Sequence, residues 1–78
     1  MKPKLTDLLR QIFPAATFSD DDPALGVGSF AEWDSLAHFN LLLLVEETFA
    51  VQFSVDEITE LKTLAMIREN LAARGIEA

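Results

Sequence analysis

A chain of 78 residues, 50% of them apolar and 24% charged, makes a single small domain, 1–78, that is expected to fold alone as a monomer; a domain of this size buries only about 60% of its unfolded surface, which excludes a large catalytic cleft. It contains no cysteine, which excludes a disulfide framework and a thiolate zinc site and makes the cytoplasm the default compartment. The net charge of −7 is concentrated: from Asp20 to Glu60 there are ten carboxylates and no Lys or Arg, a field that repels nucleic acid and either steers partners bearing basic patches or belongs to solvated faces that only aid solubility.

Leu5, Leu8, Leu9, Ile12 and Phe13 follow the spacing of an amphipathic helix. The first helix is predicted from about Lys4 to Phe13, ended by Pro14, which has no N–H to donate and pushes its predecessor out of the helical region. Asp7 and Arg10 interrupt what would be the apolar stretch of a signal peptide, so no targeting segment is expected. From Pro14 to Asp34 come two of the three prolines, two of the three glycines and the run Asp20 to Asp22, the composition of a long loop. Loops above about 15 residues are uncommon in compact domains unless functional. Phe18, Leu25, Val27 and Phe30 are expected to anchor this one against the helices.

The second helix is predicted from about Ser35 to Phe49, with Asp34 or Ser35 as its N-cap. It has two apolar faces: Leu41, Leu42, Val45 and Phe49, with His38 above them, and Leu36, Phe39 and Leu43. A three-helix bundle covers the first, so the second is either buried by the loop or left partly exposed to bind a partner. The longest unbroken apolar run, Leu41 to Val45, is five residues, far below the roughly 20 that cross a bilayer, and no membrane insertion is expected. Ser54-Val55-Asp56-Glu57 has the form of a capping box opening a short helix. Thr63 offers the N-cap of a last helix marked by Leu64, Ile67 and Leu71, and Gly75 suits the left-handed position that closes it, with Ile76 folding back. The pattern is all-α: three longer helices and one short one.

Few constellations could carry chemistry. Asp21, Gly26 and Glu32 fall at positions 1, 6 and 12 of an EF-hand loop, but Pro23 and Leu25 at positions 3 and 5 offer no side-chain oxygen, so at most weak, incidental cation binding is expected. Ser35 and His38 are the residue types of a nucleophile and its base, yet there is no G-x-S-x-G elbow, second histidine or evident orienting acid. His38 is expected to be packed or half-buried rather than ligating, and Trp33 to anchor the start of the second helix, where it could also frame a ligand. Ser35 could simply cap its helix. It could equally be an attachment point, because a phosphate there would sit beside backbone N–H groups at the positive end of the helix dipole.

In combination these residues resemble the acyl carrier proteins, a family that bears a 4′-phosphopantetheine arm on the serine of a D-S-L motif. Asp34-Ser35-Leu36 matches that motif, at the start of a helix after a long loop. Val45-Glu46-Glu47-Thr48-Phe49 is similar to the family's apolar-Glu-Glu-x-Phe helix end. Phe53 with Ser54-Val55-Asp56-Glu57 resembles its apolar residue and acidic short helix, and Leu61-Lys62-Thr63-Leu64 resembles the Ile-x-Thr-Val start of its last helix. The resemblance runs from the first helix to Gly75, and its specificity lies in the combination.

The resemblance implies an acyl-carrier-like four-helix bundle and a carrier, not an enzyme. Ser35, flanked by Asp34 and Leu36, would receive phosphopantetheine from coenzyme A through a separate phosphopantetheinyl transferase and hold acyl or aminoacyl cargo as thioesters. Leu36, Phe39 and Leu43, with Glu46, Glu47, Asp56 and Glu57, match the surface by which the family meets acyl-loading and acyl-processing enzymes with basic patches. Ala37 stands where fatty-acid carriers often have an acid, and Glu32-Trp33 replaces the frequent glycine-containing lead-in. The Trp-Asp-Ser-Leu-x-His-x-Asn-Leu arrangement is more similar to specialised stand-alone carriers of secondary-metabolite or cell-surface pathways, without a fused catalytic domain. Phe39, Phe49 and the leucines are expected to fill the bundle, which favours a short or polar cargo. The alternative is an unmodified helical adaptor that uses the same second-helix face only to bind a partner.

Overall fold

The computed structural model describes residues 3–19, 22 and 24–78. Asp20 and Asp21 of the acidic run, Pro23 and the N-terminal Lys2 lie outside the described residues, as therefore do the first and third positions of the EF-hand-like spacing. Among the described residues the fold is all-α, with four helices in the order α1 (Leu5–Ile12), α2 (Ser35–Phe49), α3 (Val55–Glu60) and α4 (Leu64–Ala73), and no strand beyond one isolated bridge. None of these helices is long and apolar enough to cross a membrane.

The helices α2, α3 and α4 each start where the residue before them supplies a side-chain oxygen for a free N–H of the first turn, whereas α1 is held by an acid reaching back from within it. The Lys4 N–H donates to the Asp7 carboxylate at the start of α1. Asp34, not Ser35, caps α2, accepting from the Ala37 N–H at 2.9 Å. Ser54 and Glu57 form the reciprocal capping box of α3, and Thr63 Oγ1 accepts from the Met66 N–H to open α4. α4 closes as a Schellman turn: Gly75 adopts φ +81°, its N–H reaches the Ala72 carbonyl and the Ile76 N–H the Leu71 carbonyl.

The core sits where α1 and the buried face of α2 meet α4. Leu5, Leu8 and Leu9 of α1 pack with Leu41, Leu42 and Val45 of α2 and with Leu64, Ile67 and Leu71 of α4, all at most 2% exposed. This burial of one helical stripe from each element is the main force for collapse. The second apolar face of α2 stays open: Leu36 is 70%, Phe39 43% and Leu43 45% exposed.

The long loop is packed, through an aromatic cluster rather than through all four expected anchors. Phe30 meets Phe13 edge-on with ring centroids 5.0 Å apart, Trp33 stacks obliquely on both at 5.6 Å, and Phe18 lies between Phe30 and the Arg10 guanidinium. Leu25 is buried. Val27 is not an anchor: it is 40% exposed, because the Gly26 backbone pairs with Thr63 and turns the next side chain outward. Trp33 is completely buried, which removes the alternative that it frames a ligand.

Candidate functional site

Ser35 is the first helical residue of α2 and is exposed. Its position follows from the local sequence: Asp34 in extended backbone takes the Ala37 N–H, and the helix begins one residue later. Beside Ser35 opens a groove of about 520 Å³. One wall is α2, with His38, Phe39 and Leu42; the opposite wall is α3, with Ile58 and Thr59; Gly26 and Val27 of the loop and Lys62 and Thr63 of the α3–α4 turn complete it. The lining is largely apolar, with hydroxyls and the single lysine at its margin. Phe39 stands at the side of this space, and Phe49 is only partly buried at the far end of α2. The buried leucines fill the bundle as expected, while the two phenylalanines leave the groove beside Ser35 open.

The loop reaches the groove through the bridge between Gly26 and Thr63. The Val27 N–H donates to the Lys62 carbonyl at 3.0 Å and the Leu64 N–H to the Leu25 carbonyl at 2.8 Å. A Cβ on Gly26 would stand 2.3 Å from that Lys62 oxygen, so glycine is required by close backbone approach. Gly26, Ile58, Thr59, Lys62 and Thr63 were not legible as site residues. The only signal was an isolated glycine between two apolar residues, which marks a close approach without saying to what.

His38 is buried and uses both ring nitrogens. Trp33 Nε1–H donates to Nδ1 at 2.9 Å, and since indole is a donor only, Nδ1 carries no proton; Nε2–H therefore donates to the Leu61 carbonyl. Burial pushes the His38 pKa below its usual value, and the Leu61 hydrogen bond opposes the shift. With both nitrogens engaged elsewhere, His38 makes no hydrogen bond to Ser35, and the pair lacks the contact a nucleophile and its base require.

The acidic residues singled out from the sequence separate into two kinds. Glu47 and Asp56 are exposed. Glu46 and Glu57 instead have internal partners: Glu46 Oε2 accepts from the Phe53 N–H at 2.7 Å, and Glu57 accepts from the Ser54 N–H, from Asn70 Nδ2 at 2.6 Å and from Arg74 Nη2 at 3.0 Å. The Ser54 N–H, then the Asn70 amide and Arg74, hold the Glu57 carboxyl well below the usual range, at about 2. Glu46 is thus part of the turn after α2, and reversing its charge would disturb that turn as well as the surface. Leu43, Glu46 and Glu47 line a second, shallow depression with Val51 and Gln52, away from Ser35. Phe39 is shared by the Ser35 groove and the exposed apolar face, while Leu36 projects from that face outside the groove lining.

Among the described residues no cluster of His, Asp or Glu could hold a metal ion. Comparison of the chain with protein-family models, curated proteins and solved structures finds no match.

Proposed function

We propose that the chain is an acyl carrier protein: an acyl-carrier-like helical bundle that bears 4′-phosphopantetheine on Ser35 and presents acyl or aminoacyl thioesters to other enzymes, itself catalysing nothing. The observation that carries the reading is the exposed Ser35 at the first position of α2, between a groove of about 520 Å³ and an open apolar face. A phosphodiester on Ser35 Oγ fits this position, because the hydroxyl is exposed, the first-turn N–H groups of a helix lack intrahelical partners and the helix dipole is positive there. The arm would supply a terminal thiol that holds the cargo, the role that a chain without cysteine cannot fill by itself.

The chain's own residues do the rest. Asp34 fixes the start of α2 and so the direction of Ser35. The groove walls Phe39, Leu42 and Ile58 offer apolar cover beside the attachment point, so a cargo with an apolar portion is accommodated along with short or polar ones. Leu36, Phe39 and Leu43, with Glu47 and Asp56 as exposed charges, form the face offered to a phosphopantetheinyl transferase and to acyl-loading or acyl-processing enzymes with basic patches. Glu46 and Glu57 contribute their charge to that field from fixed positions. A small interface of this kind would release quickly, which suits visits to several enzymes. The tryptophan-containing motif favours a specialised biosynthetic pathway.

The test is intact mass after incubation with coenzyme A and a promiscuous phosphopantetheinyl transferase. The wild type should gain one phosphopantetheinyl group and Ser35→Ala none. A wild type that stays unmodified with several transferases, and that carries no hydroxylamine-labile mass in its native host, overturns the reading in favour of an unmodified adaptor.

A further inference from the structure

The chain has one tryptophan and one histidine, and the fold buries them against each other, ring centroids 5.8 Å apart. Through its two nitrogens the His38 imidazole, on the first turns of α2, joins the end of the long loop at Trp33, five residues before it, to the α3–α4 turn at Leu61, 23 residues after it. The same ring lines the groove beside Ser35, next to Thr59, Lys62 and Thr63.

We propose that His38 is a proton-controlled positioning residue, holding the α3–α4 turn against α2 while neutral and releasing Trp33 when protonated, so that acid changes the shape of the groove beside Ser35. The geometry dictates the response. Nδ1 accepts the indole N–H only while its lone pair is free. One proton from solvent on Nδ1 replaces an acceptor with a donor, sets two N–H groups against each other, and places a cation on a ring that is 6% exposed. The imidazolium keeps the Leu61 carbonyl, a bond that the charge strengthens, and loses Trp33. The ring then shifts from the loop toward the groove, where water can solvate it.

Among the described residues no carboxylate pairs with the ring to offset that charge. Lys62 lines the same groove and opposes a second cation. Asp34, on the turn before, has its Oδ1 on the Ala37 N–H; Glu57 of α3 is turned to Asn70 and Arg74; Glu32, Asp56 and Glu60 are exposed. Among the described residues His38 forms no ion pair. The inference concerns the unmodified chain and stands whether or not Ser35 carries a group.

Having a single tryptophan and a single histidine makes the test direct. The unmodified protein is titrated from about pH 8 to about pH 4 while NMR follows the His38 ring nitrogens, the Trp33 indole N–H, and the amides of Ser35, Thr59 and Thr63. The expected result is one common midpoint below the ordinary histidine value, with loss of the hydrogen-bonded indole signal and retention of helical circular dichroism across that midpoint. His38→Asn, which keeps an acceptor near the indole but gains no proton, should abolish the transition. Titration of His38 with the indole and groove amides unmoved overturns the proposal, as does loss of helicity at the same midpoint. Should His38→Asn fail to fold, the wild-type resonances alone decide.

Discussion

Gly26→Ala probes the bridge that joins the long loop to the α3–α4 turn and completes the groove beside Ser35. The added Cβ would stand 2.3 Å from the Lys62 carbonyl oxygen and 2.8 Å from Thr63 Cα. Both are backbone atoms, so no rotamer relieves the clash and the two segments must part. Parting breaks the Val27-to-Lys62 and Leu64-to-Leu25 hydrogen bonds, a loss of about 0.5–1.5 kcal/mol each, and loosens Leu25 and Leu64, both 2% exposed. The expected cost is about 1–3 kcal/mol, which lowers Tm by roughly 5–20 °C in a domain of this size. Thermal circular dichroism gives Tm, and amide hydrogen exchange locates the damage: the Leu64 N–H should lose protection. Gly28→Ala is the control. Gly28 has φ +88° and no atom within 4 Å of an added Cβ, so it pays only about 1–2 kcal/mol of backbone strain and leaves the Leu64 amide protected. A Gly26→Ala protein with unchanged Tm and a protected Leu64 amide would refute the account of the bridge.

The remaining expectations concern the ends of α2, the groove wall and the response to acid. Ala50 follows α2 in the left-handed region at φ 55°; Ala50→Gly removes that strain and should stabilise the protein by about 0.5–1 kcal/mol in urea unfolding, and a loss of stability would contradict the assignment. Glu46→Lys should cost about 1–3 kcal/mol by stranding the Phe53 N–H, whereas Glu47→Lys should stay within about 0.5 kcal/mol and weaken partner binding most at low salt. Leu42→Ala, at a side chain 1% exposed, should cost about 2–5 kcal/mol and widen the groove it lines. With its folded pKa depressed to about 2, Glu57 contributes stability that is fully present above the ordinary glutamate value of about 4.5 and is lost as pH falls toward about 2. Glu57→Gln should flatten that part of the stability profile. His38 acts at higher pH: held neutral in the fold, it makes stability decline as pH drops below about 6.5.

Much of the architecture was legible because its causes are local. A helix is written in spacings of three and four residues, and its start in an oxygen three residues ahead of the N–H it caps. Hence Leu5 to Phe13, the Ser54–Glu57 box, Thr63 and Gly75 could be read along the chain, and so could the two faces of α2. Even the choice left open there, whether Leu36, Phe39 and Leu43 are covered by the loop, turned on how far the loop's own aromatic residues are drawn to Phe13. The role of Glu46 and the Asn70 and Arg74 partners of Glu57 were not legible, because a glutamate on a helix surface looks the same whether its partner is water or a distant group such as the Phe53 N–H.

By itself, then, the sequence determined four helices, the caps of the last two, the stripe that becomes the core, the acidic middle and the serine at the head of α2. Only the tertiary structure decided that Val27 faces out and Trp33 in, that Gly26 lies against Lys62 and Thr63, that His38 is a neutral connector, and that a groove opens beside Ser35. The physical reason is range. Hydrogen bonding within a helix and its caps joins residues at most five apart, so composition and spacing encode it, whereas the groove is the space left between elements whose approach is set by burial of the whole core.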